Sequence, residues 1–101
     1  MASGFALRSL VELTVGTAGS SVQVNGGTSL LCFNVIITAD NGNSGNMFVG
    51  DSNVSSSRFA KRLTPGDSIT LGFWSPIPQF ELSSVWLDSA TNGDGCQIHF
   101  I

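Results

Sequence analysis

Short stretches of alternating hydrophobic and polar residues run along this 101-residue chain. The alternation is clearest over residues 9–15, 21–24, 58–63 and 68–73. A period of two places one face of a strand against a core and the other face in solvent, so each stretch predicts a β-strand. Residues 29–38 are apolar at both parities, and we therefore predict a strand that is covered on both faces.

Turn-forming residues separate these stretches at a spacing that is typical of a β-sandwich or a barrel. They lie at residues 16–19, 25–27, 40–45, 64–67 and 92–95. Pro76 and Pro78 predict a loop or an edge segment, because proline lacks the N–H group that a central strand must donate.

The whole pattern predicts about eight short strands and no helix. Residues 5–13 have some helical spacing, but the β-branched residues and the glycine that follows them favour a strand. We therefore expect an all-β fold, an antiparallel β-sandwich of the immunoglobulin-like or jelly-roll-like kind. Residues 1–8 are expected to form an N-terminal arm, and residues 9–101 a single β-sandwich domain.

The composition is 42% hydrophobic and only 11% charged, against about 25% charged residues in typical soluble domains. No apolar run approaches the roughly 20 residues of a membrane-spanning helix, so we expect a soluble protein without a membrane partner. Removing water from a surface with few charged groups costs little free energy when two proteins meet. This composition suits a protein that stays bound to partners, although β-rich binding modules share it.

The net charge is −3, and the chain has four Lys and Arg residues, namely Arg8, Arg58, Lys61 and Arg62. Nucleic-acid binding draws most of its affinity from such residues, so we expect no nucleic-acid partner. The cluster at residues 58–62 brackets Phe59 and predicts a solvated strand face or loop. The same cluster is also suited to docking on an acidic patch of a protein partner.

The N-terminal sequence does not resemble a signal peptide, because Arg8 and Glu12 interrupt its short apolar stretch. Cys32 and Cys96 lie in apolar, strand-like segments. Without an export signal, we expect two buried thiols. A disulfide between them stays open if their strands are neighbours.

The motifs of common catalytic and metal sites are missing from the sequence. His99 is on the parity of Gln97 and is expected to face solvent or an interface. The stretch around Asp94 resembles part of a calcium loop, but Ala90 and Ile101 fall where two acidic ligands are required. A tight turn is the better interpretation. We expect no enzyme activity, no metal and no cofactor, with an adventitious cation near Asp88 and Asp94 as an open alternative.

The two tryptophans are candidates for a binding role. Trp74 precedes a proline near a predicted rim, whereas Trp86 lies between two apolar residues of a strand, where core packing is the usual role. Exposed aromatic rings stack on sugars or anchor protein interfaces. For Trp74, an interface or core role is preferred over sugar binding.

Several motifs together resemble small all-β structural proteins of tailed bacteriophages, of the capsid decoration or cement type. A strand runs into Gly50-Asp51-Ser52-Asn53-Val54, and residues 63–71 continue with a leucine, a Pro-Gly-Asp-Ser turn and an apolar strand. Residues 84–88 and the Asn-Gly turn at 92–95 fit the usual ending of these proteins, and residues 13–24 resemble their opening. The likeness extends from Leu13 to the end of the chain.

The resemblance implies a virion structural protein that needs no cofactor and is assembled in the cytoplasm of the bacterial host. It implies binding to the major capsid protein or other virion proteins, as a homo-oligomer with a trimer favoured. The chain departs from the pattern in an aromatic, Pro-rich insertion at residues 74–80. We expect partner contacts from this insertion and from the arm, through Phe5, Leu7, Arg8, Trp74, Ile77 and Phe80.

Two other functions remain open at this point. One is a carbohydrate- or receptor-binding module of a head or tail fibre. The other is a neck or tail adaptor, which has the same composition but occurs in few copies per particle.

Overall fold

The computed structural model describes residues 8–9, 12–72 and 80–101, which form eleven strands. Every strand pairing is antiparallel, so the predicted all-β, antiparallel class is confirmed. The strands are β1 Arg8–Ser9, β2 Leu13–Thr14, β3 Val22–Gln23, β4 Leu31–Cys32, β5 Asn34–Ala39, β6 Met47–Gly50, β7 Lys61–Leu63, β8 Ser68–Gly72, β9 Phe80–Glu81, β10 Trp86–Ser89 and β11 Gly95–Phe100.

Helical structure in the described residues is limited to two short 3-10 turns, Val24–Gly27 and Leu82–Ser84. Within the first turn, Asn25 and Gly26 take left-handed backbone angles. No helix in this part of the chain has the length and the apolar character needed to cross a membrane.

The strands form three sheets. The first has the order β1-β11-β5-β8, and β2 also pairs with β11. The second has the order β3-β10-β6-β7, and β4 pairs with β9 in a two-stranded third sheet. The two larger sheets contribute to one hydrophobic core, which gives the chain a sandwich-like arrangement. The edge strands β7 and β8 are joined directly by the turn at residues 64–67.

Burial alternates along the central strands as the sequence pattern predicts. In β11, Cys96, Ile98 and Phe100 are buried, whereas Gln97 is exposed and His99 is half-buried. In β5, every second residue is fully buried and the residues between them are half-buried. One face of β5 is therefore fully buried, as predicted, and its other face is only partly buried.

The core draws on both large sheets and on the third sheet. All its members are fully or almost fully buried, and they include Cys32 and Cys96. The two cysteines are not joined by a disulfide, which confirms the predicted pair of buried thiols. Burial, with a smaller contribution from the nearby Asp40 and Glu12 carboxylates, raises the pKa of the Cys96 thiol to about 12. The core residues are Val15, Val24, Cys32, Val35, Ile37, Ala39, Met47, Val49, Leu63, Leu82, Val85, Leu87, Cys96, Ile98 and Phe100.

One predicted strand was wrong. Residues 29–38 form two strands in different sheets, because the chain bends at Phe33, whose N–H donates to the Ile101 carbonyl at 2.7 Å. Asp88 and Ser89 belong to the strand β10, and both are buried. Asp88 is tolerated in a buried strand because its carboxylate accepts the N–H groups of Gly19 and Ser89.

The predicted first strand at residues 9–15 corresponds to β1 and β2, which both pair with β11. Residues 10 and 11 between them lie outside the described part of the chain. Arg8, at the boundary of the predicted arm, pairs with Phe100.

The register defines two ends of the sandwich. Asn34, Gly72 and Phe100 lie at one end of the first sheet, which we call the Gly72 end. Ala39 and Gly95 lie towards the other end, which we call the Ala39 end. Arg8 pairs with Phe100, and Gly72 pairs with Asn34. The residue that follows segment 1–7 and the residue that precedes segment 73–79 therefore both lie at the Gly72 end of this sheet.

The turn between β7 and β8 is the predicted Pro-Gly turn. Gly66 has a φ of +88°, a left-handed angle that favours glycine. Its N–H donates to the Ala39 carbonyl at 3.0 Å, and the Thr64 hydroxyl donates to Asp67 at 2.6 Å. These bonds hold the turn that carries the chain from the second sheet to the first.

The substitution Gly72→Ala tests the close packing at the Gly72 end. Its φ is +114°, and a methyl group there would collide with the Phe33 carbonyl oxygen and lie 2.8 Å from Asn34 Oδ1. We expect Gly72→Ala to lower the free energy of unfolding by at least about 1–2 kcal/mol, the usual cost of a disfavoured positive φ. Chemical denaturation measures the change. Gly42→Ala is the control, because no atom lies within 4 Å of the added methyl; equal stability of the two variants would contradict the prediction.

Candidate functional site

Most of the predicted contact residues are not placed by the structure. Phe5, Leu7, Trp74 and Ile77 lie outside the described residues, and only the backbone of Arg8 is described. Phe80 is described, and it pairs with Cys32 in the third sheet. The partner contacts expected from the other five residues therefore stay predictions. The surroundings of Phe80 are described below.

An apolar groove of about 410 Å³ lies beside Phe80. All three sheets contribute to its wall, which combines the ends of β6 and β8 with residues of β9 and of the second 3-10 turn and with the residues that precede β7. We call it the edge groove, because it lies where the edge strands β7 and β8 border the core. Among the described residues, its apolar lining consists of Val49, Phe59, Ala60, Leu71, Phe80 and Val85.

Phe59 is the exposed aromatic residue of the edge groove. The residue is 40% exposed, whereas Phe48 is only 4% exposed. The two ring centroids are 5.3 Å apart with an interplanar angle of 33°, a favourable aromatic contact. Phe48 therefore fixes the Phe59 ring at the border of the groove, where part of its surface stays open to a partner.

A short hairpin holds Phe59 in place. Ser55 and Arg58 exchange backbone hydrogen bonds of 2.8 and 3.2 Å, and the Ala60 N–H donates to the Val49 carbonyl at 2.7 Å. The Asp51 carboxylate accepts the Asn53 N–H at 2.9 Å and contacts the Arg58 guanidinium at 3.3 Å. These bonds, the Asn53 N–H foremost, lower the pKa of Asp51.

The basic cluster lies at the same border. Arg58 lines the groove, and Lys61 and Arg62 follow on the edge strand β7. All three side chains are exposed, which confirms the predicted solvated character of the cluster. Among the described residues, the pair Arg58–Asp51 is the only salt bridge, and its side chains are 66% and 60% exposed. Such an exposed pair orients the two groups and contributes little stability.

Glu81 anchors the wall that carries Phe80. Its carboxylate accepts the Ser29 hydroxyl at 2.5 Å, the Leu30 N–H at 2.8 Å and the Ser83 hydroxyl at 3.0 Å. The hydrogen bond from Ser29 is the largest cause, and together these donors lower the pKa of Glu81 to about 2. Glu81 thus connects β4, β9 and the second 3-10 turn around one charged group.

A pair of carboxylates at the Ala39 end was not anticipated. Glu12 precedes β2 and Asp40 follows β5, and both strands pair with β11 near Gly95. A methyl placed on Gly95 would lie 3.2 Å from Glu12 Oε2 and 3.3 Å from Asp40 Oδ2. The hydrogen bond and the repulsion from Asp40 raise the pKa of Glu12. No sequence pattern signals this pair, because it depends on which strands flank β11.

The described residues contain no group of three His, Cys, Asp or Glu side chains that is arranged to hold a metal ion. Asp94, the acid of the predicted turn, is buried and accepts the Ser44 and Gly45 N–H groups at 3.0 and 2.9 Å. Gly93 has a positive φ of +86°, and the Asp94 N–H donates to the Thr91 carbonyl. The tight turn is therefore confirmed, and the Asp94 carboxylate serves as an acceptor for a neighbouring loop.

The pH dependence of Glu81 gives a second prediction. Because its pKa is held near 2 instead of the usual 4.5, ionised Glu81 stabilises the folded chain above pH 4.5. We expect Glu81→Gln to unfold at a lower temperature than the unsubstituted chain at pH 7. The difference shrinks as the pH falls from 4.5 towards 2. Thermal unfolding across this pH range measures it, and a difference that does not change with pH would contradict the assignment.

Glu12→Gln is expected to change stability in the opposite direction. A raised pKa means that ionised Glu12 is less favourable in the folded chain than in the unfolded chain. The variant should therefore unfold at a higher temperature at neutral pH. This gain should disappear as the pH falls below the range in which Glu12 ionises. The same thermal measurements test it, and a less stable variant at pH 7 would contradict the prediction.

The edge groove is the feature of the described residues that is best suited to binding. It combines an open aromatic ring, an apolar wall and neighbouring positive charges. No protein-family model, no curated protein and no solved structure matches this chain.

Proposed function

We propose that this chain is a non-enzymatic virion structural protein that binds the exterior of a phage capsid as a decoration or cement protein. The main support is the resemblance of the sequence motifs, some of whose residues also line the edge groove. The motifs that resemble phage structural proteins cover residues 48–55 and 63–71. The edge groove takes Val49, Gly50, Asp51 and Leu71 from those same motifs.

The described fold suits such a role physically. A cement protein that binds only the finished shell stabilises that state, as any state-selective ligand does. The edge groove is preformed by hydrogen bonds around Asp51 and Glu81, which reduces the ordering cost of binding. The low fraction of charged residues also reduces the cost of desolvation over a broad contact.

The sheet edges offer a second means of contact. The strands β3, β7 and β8 each have a neighbour on one side only within their sheets. Such edges accept an added strand from another protein. We propose the major capsid protein or other virion proteins as partners, with a homo-oligomer, preferably a trimer, assembled in the host cytoplasm and then located on the virion.

A carbohydrate- or receptor-binding module is the second candidate, because Phe59 is 40% exposed and its ring is available for stacking on a sugar. Sugar recognition also needs several polar groups around the ring. The polar side chains of the groove are limited to Asp51, Arg58 and Ser84 among the described residues, and the first two already pair with each other. Decoration is therefore preferred.

The copy number in virions tests the proposal. Particles are purified from host cells that carry the encoding phage, and this chain is quantified by mass spectrometry against the major capsid protein. Decoration predicts an abundance comparable to that of the capsid protein. It also predicts that particles lacking the chain lose DNA at a lower temperature, and that adding the purified protein restores their stability. A trace abundance would move the assignment to the neck, tail or fibre, and complete absence would reject a virion role.

A further inference from the structure

We propose that the edge groove is the docking site for an extended acidic segment of the partner protein, which inserts an apolar side chain beside Phe59 and places carboxylates against Arg58 and Lys61. Identifying that partner as a capsid protein rests on the proposed function. The choice of an acidic, extended segment rests on the groove itself.

The lining of the edge groove selects an apolar side chain. The six apolar residues that line it in the described part of the chain come from separate segments, and its volume of about 410 Å³ lies in the range of roughly 300–1,000 Å³ that is common for binding pockets. Phe59 is one of only two large apolar side chains in the described residues that are exposed, the other being Leu31. An inserted leucine or aromatic side chain would cover the open part of the Phe59 ring.

The distribution of charge selects an acidic partner. The chain has a net charge of −3, yet three of its four Lys and Arg residues lie within residues 58–62. The Arg58 side chain is 66% exposed, and its only salt-bridge partner among the described residues is Asp51, whose side chain is 60% exposed. Lys61 and Arg62 extend the positive charge along β7, and no salt bridge is formed by either in the described part of the chain. Opposite charges at the border of an interface raise the association rate and exclude partners of the wrong sign.

The position of the groove selects an extended segment. Leu71 belongs to β8, whose outer edge has no neighbouring strand in the described sheets. The exposed and half-buried residues of β8 alternate, so a strand laid along this edge would direct every second side chain towards the groove. Recognition of this kind takes affinity from backbone hydrogen bonds and specificity from the pocket.

Site-specific photocrosslinking on particles tests the location. The photoreactive residue p-benzoylphenylalanine replaces Phe59 in one variant and Ser20 in a control variant. Ser20 is exposed in the loop between β2 and β3, away from the edge groove. We expect Phe59 to crosslink to one partner segment that has an apolar residue at the crosslink and carboxylates next to it. We expect no comparable product from Ser20.

A charge reversal tests the chemistry of the partner. Binding to purified shells that lack this chain is measured for Lys61→Glu and for the control Ser20→Glu. Reversal beside an acidic segment should raise the dissociation constant by about tenfold or more, whereas the control should bind as the unsubstituted chain does. Raising the salt concentration should weaken the binding of the unsubstituted chain to the shells more than the binding of Lys61→Glu. Thermal unfolding of both variants verifies that the fold is intact.

The outcomes separate the two proposals. If the chain is abundant on particles but Phe59 forms no crosslink, or Lys61→Glu binds normally, the docking site is wrong and the decoration role stands. A Phe59 crosslink to a second copy of this chain, or to a segment without carboxylates, also overturns the docking proposal. If the chain is absent from particles, the decoration role fails. If the chain then binds a glycan and Phe59→Ala abolishes that binding, the glycan and not an acidic segment occupies the edge groove.

Discussion

The pairing of β5 with β11 is the interaction on which the rest of the structure depends. It runs from Val35 opposite Phe100 to Ala39 opposite Cys96 and joins the middle of the chain to its end. Its inward side chains form the centre of the core, and its outer edges carry β8 on one side and β1 and β2 on the other. Because this pairing spans most of the sequence, the chain must close a long loop before the core forms, which is typical of slowly folding β proteins.

This central pairing also gives the two ends of the sandwich different chemistry. At the Ala39 end, buried polar groups fix the loops, as when Asp94 accepts the N–H groups of Ser44 and Gly45. No buried side-chain nitrogen or oxygen in the described residues lacks a hydrogen-bond partner. The carboxylates of Glu12 and Asp40 add negative charge at this end. Towards the Gly72 end lie the edge groove and the aromatic contact of Phe59, with the basic cluster beside them.

The edge groove and the Glu12–Asp40 pair lie at different ends of the sandwich. The wall of the groove is apolar, and its charged groups pair with each other at the border. The Glu12–Asp40 pair lies at the other end, outside the groove lining, and lacks a third metal-binding side chain in the described part of the chain. An apolar groove with positive charges beside it supports the proposed docking of a partner segment.

The sequence by itself determined which residues face inward and where the chain turns. Alternation predicted the buried face of β11, and the Pro-Gly and Asn-Gly stretches predicted the turns at Gly66 and Gly93, because these depend on local geometry. A period of two assigns a face to each residue, but it does not select the partner strand or the register. The bend at Phe33, the burial of Asp88, the Glu12–Asp40 pair and the edge groove all depend on contacts between distant segments. Only the tertiary structure decided them, because each arises from strands that meet in space without any local signal of that meeting.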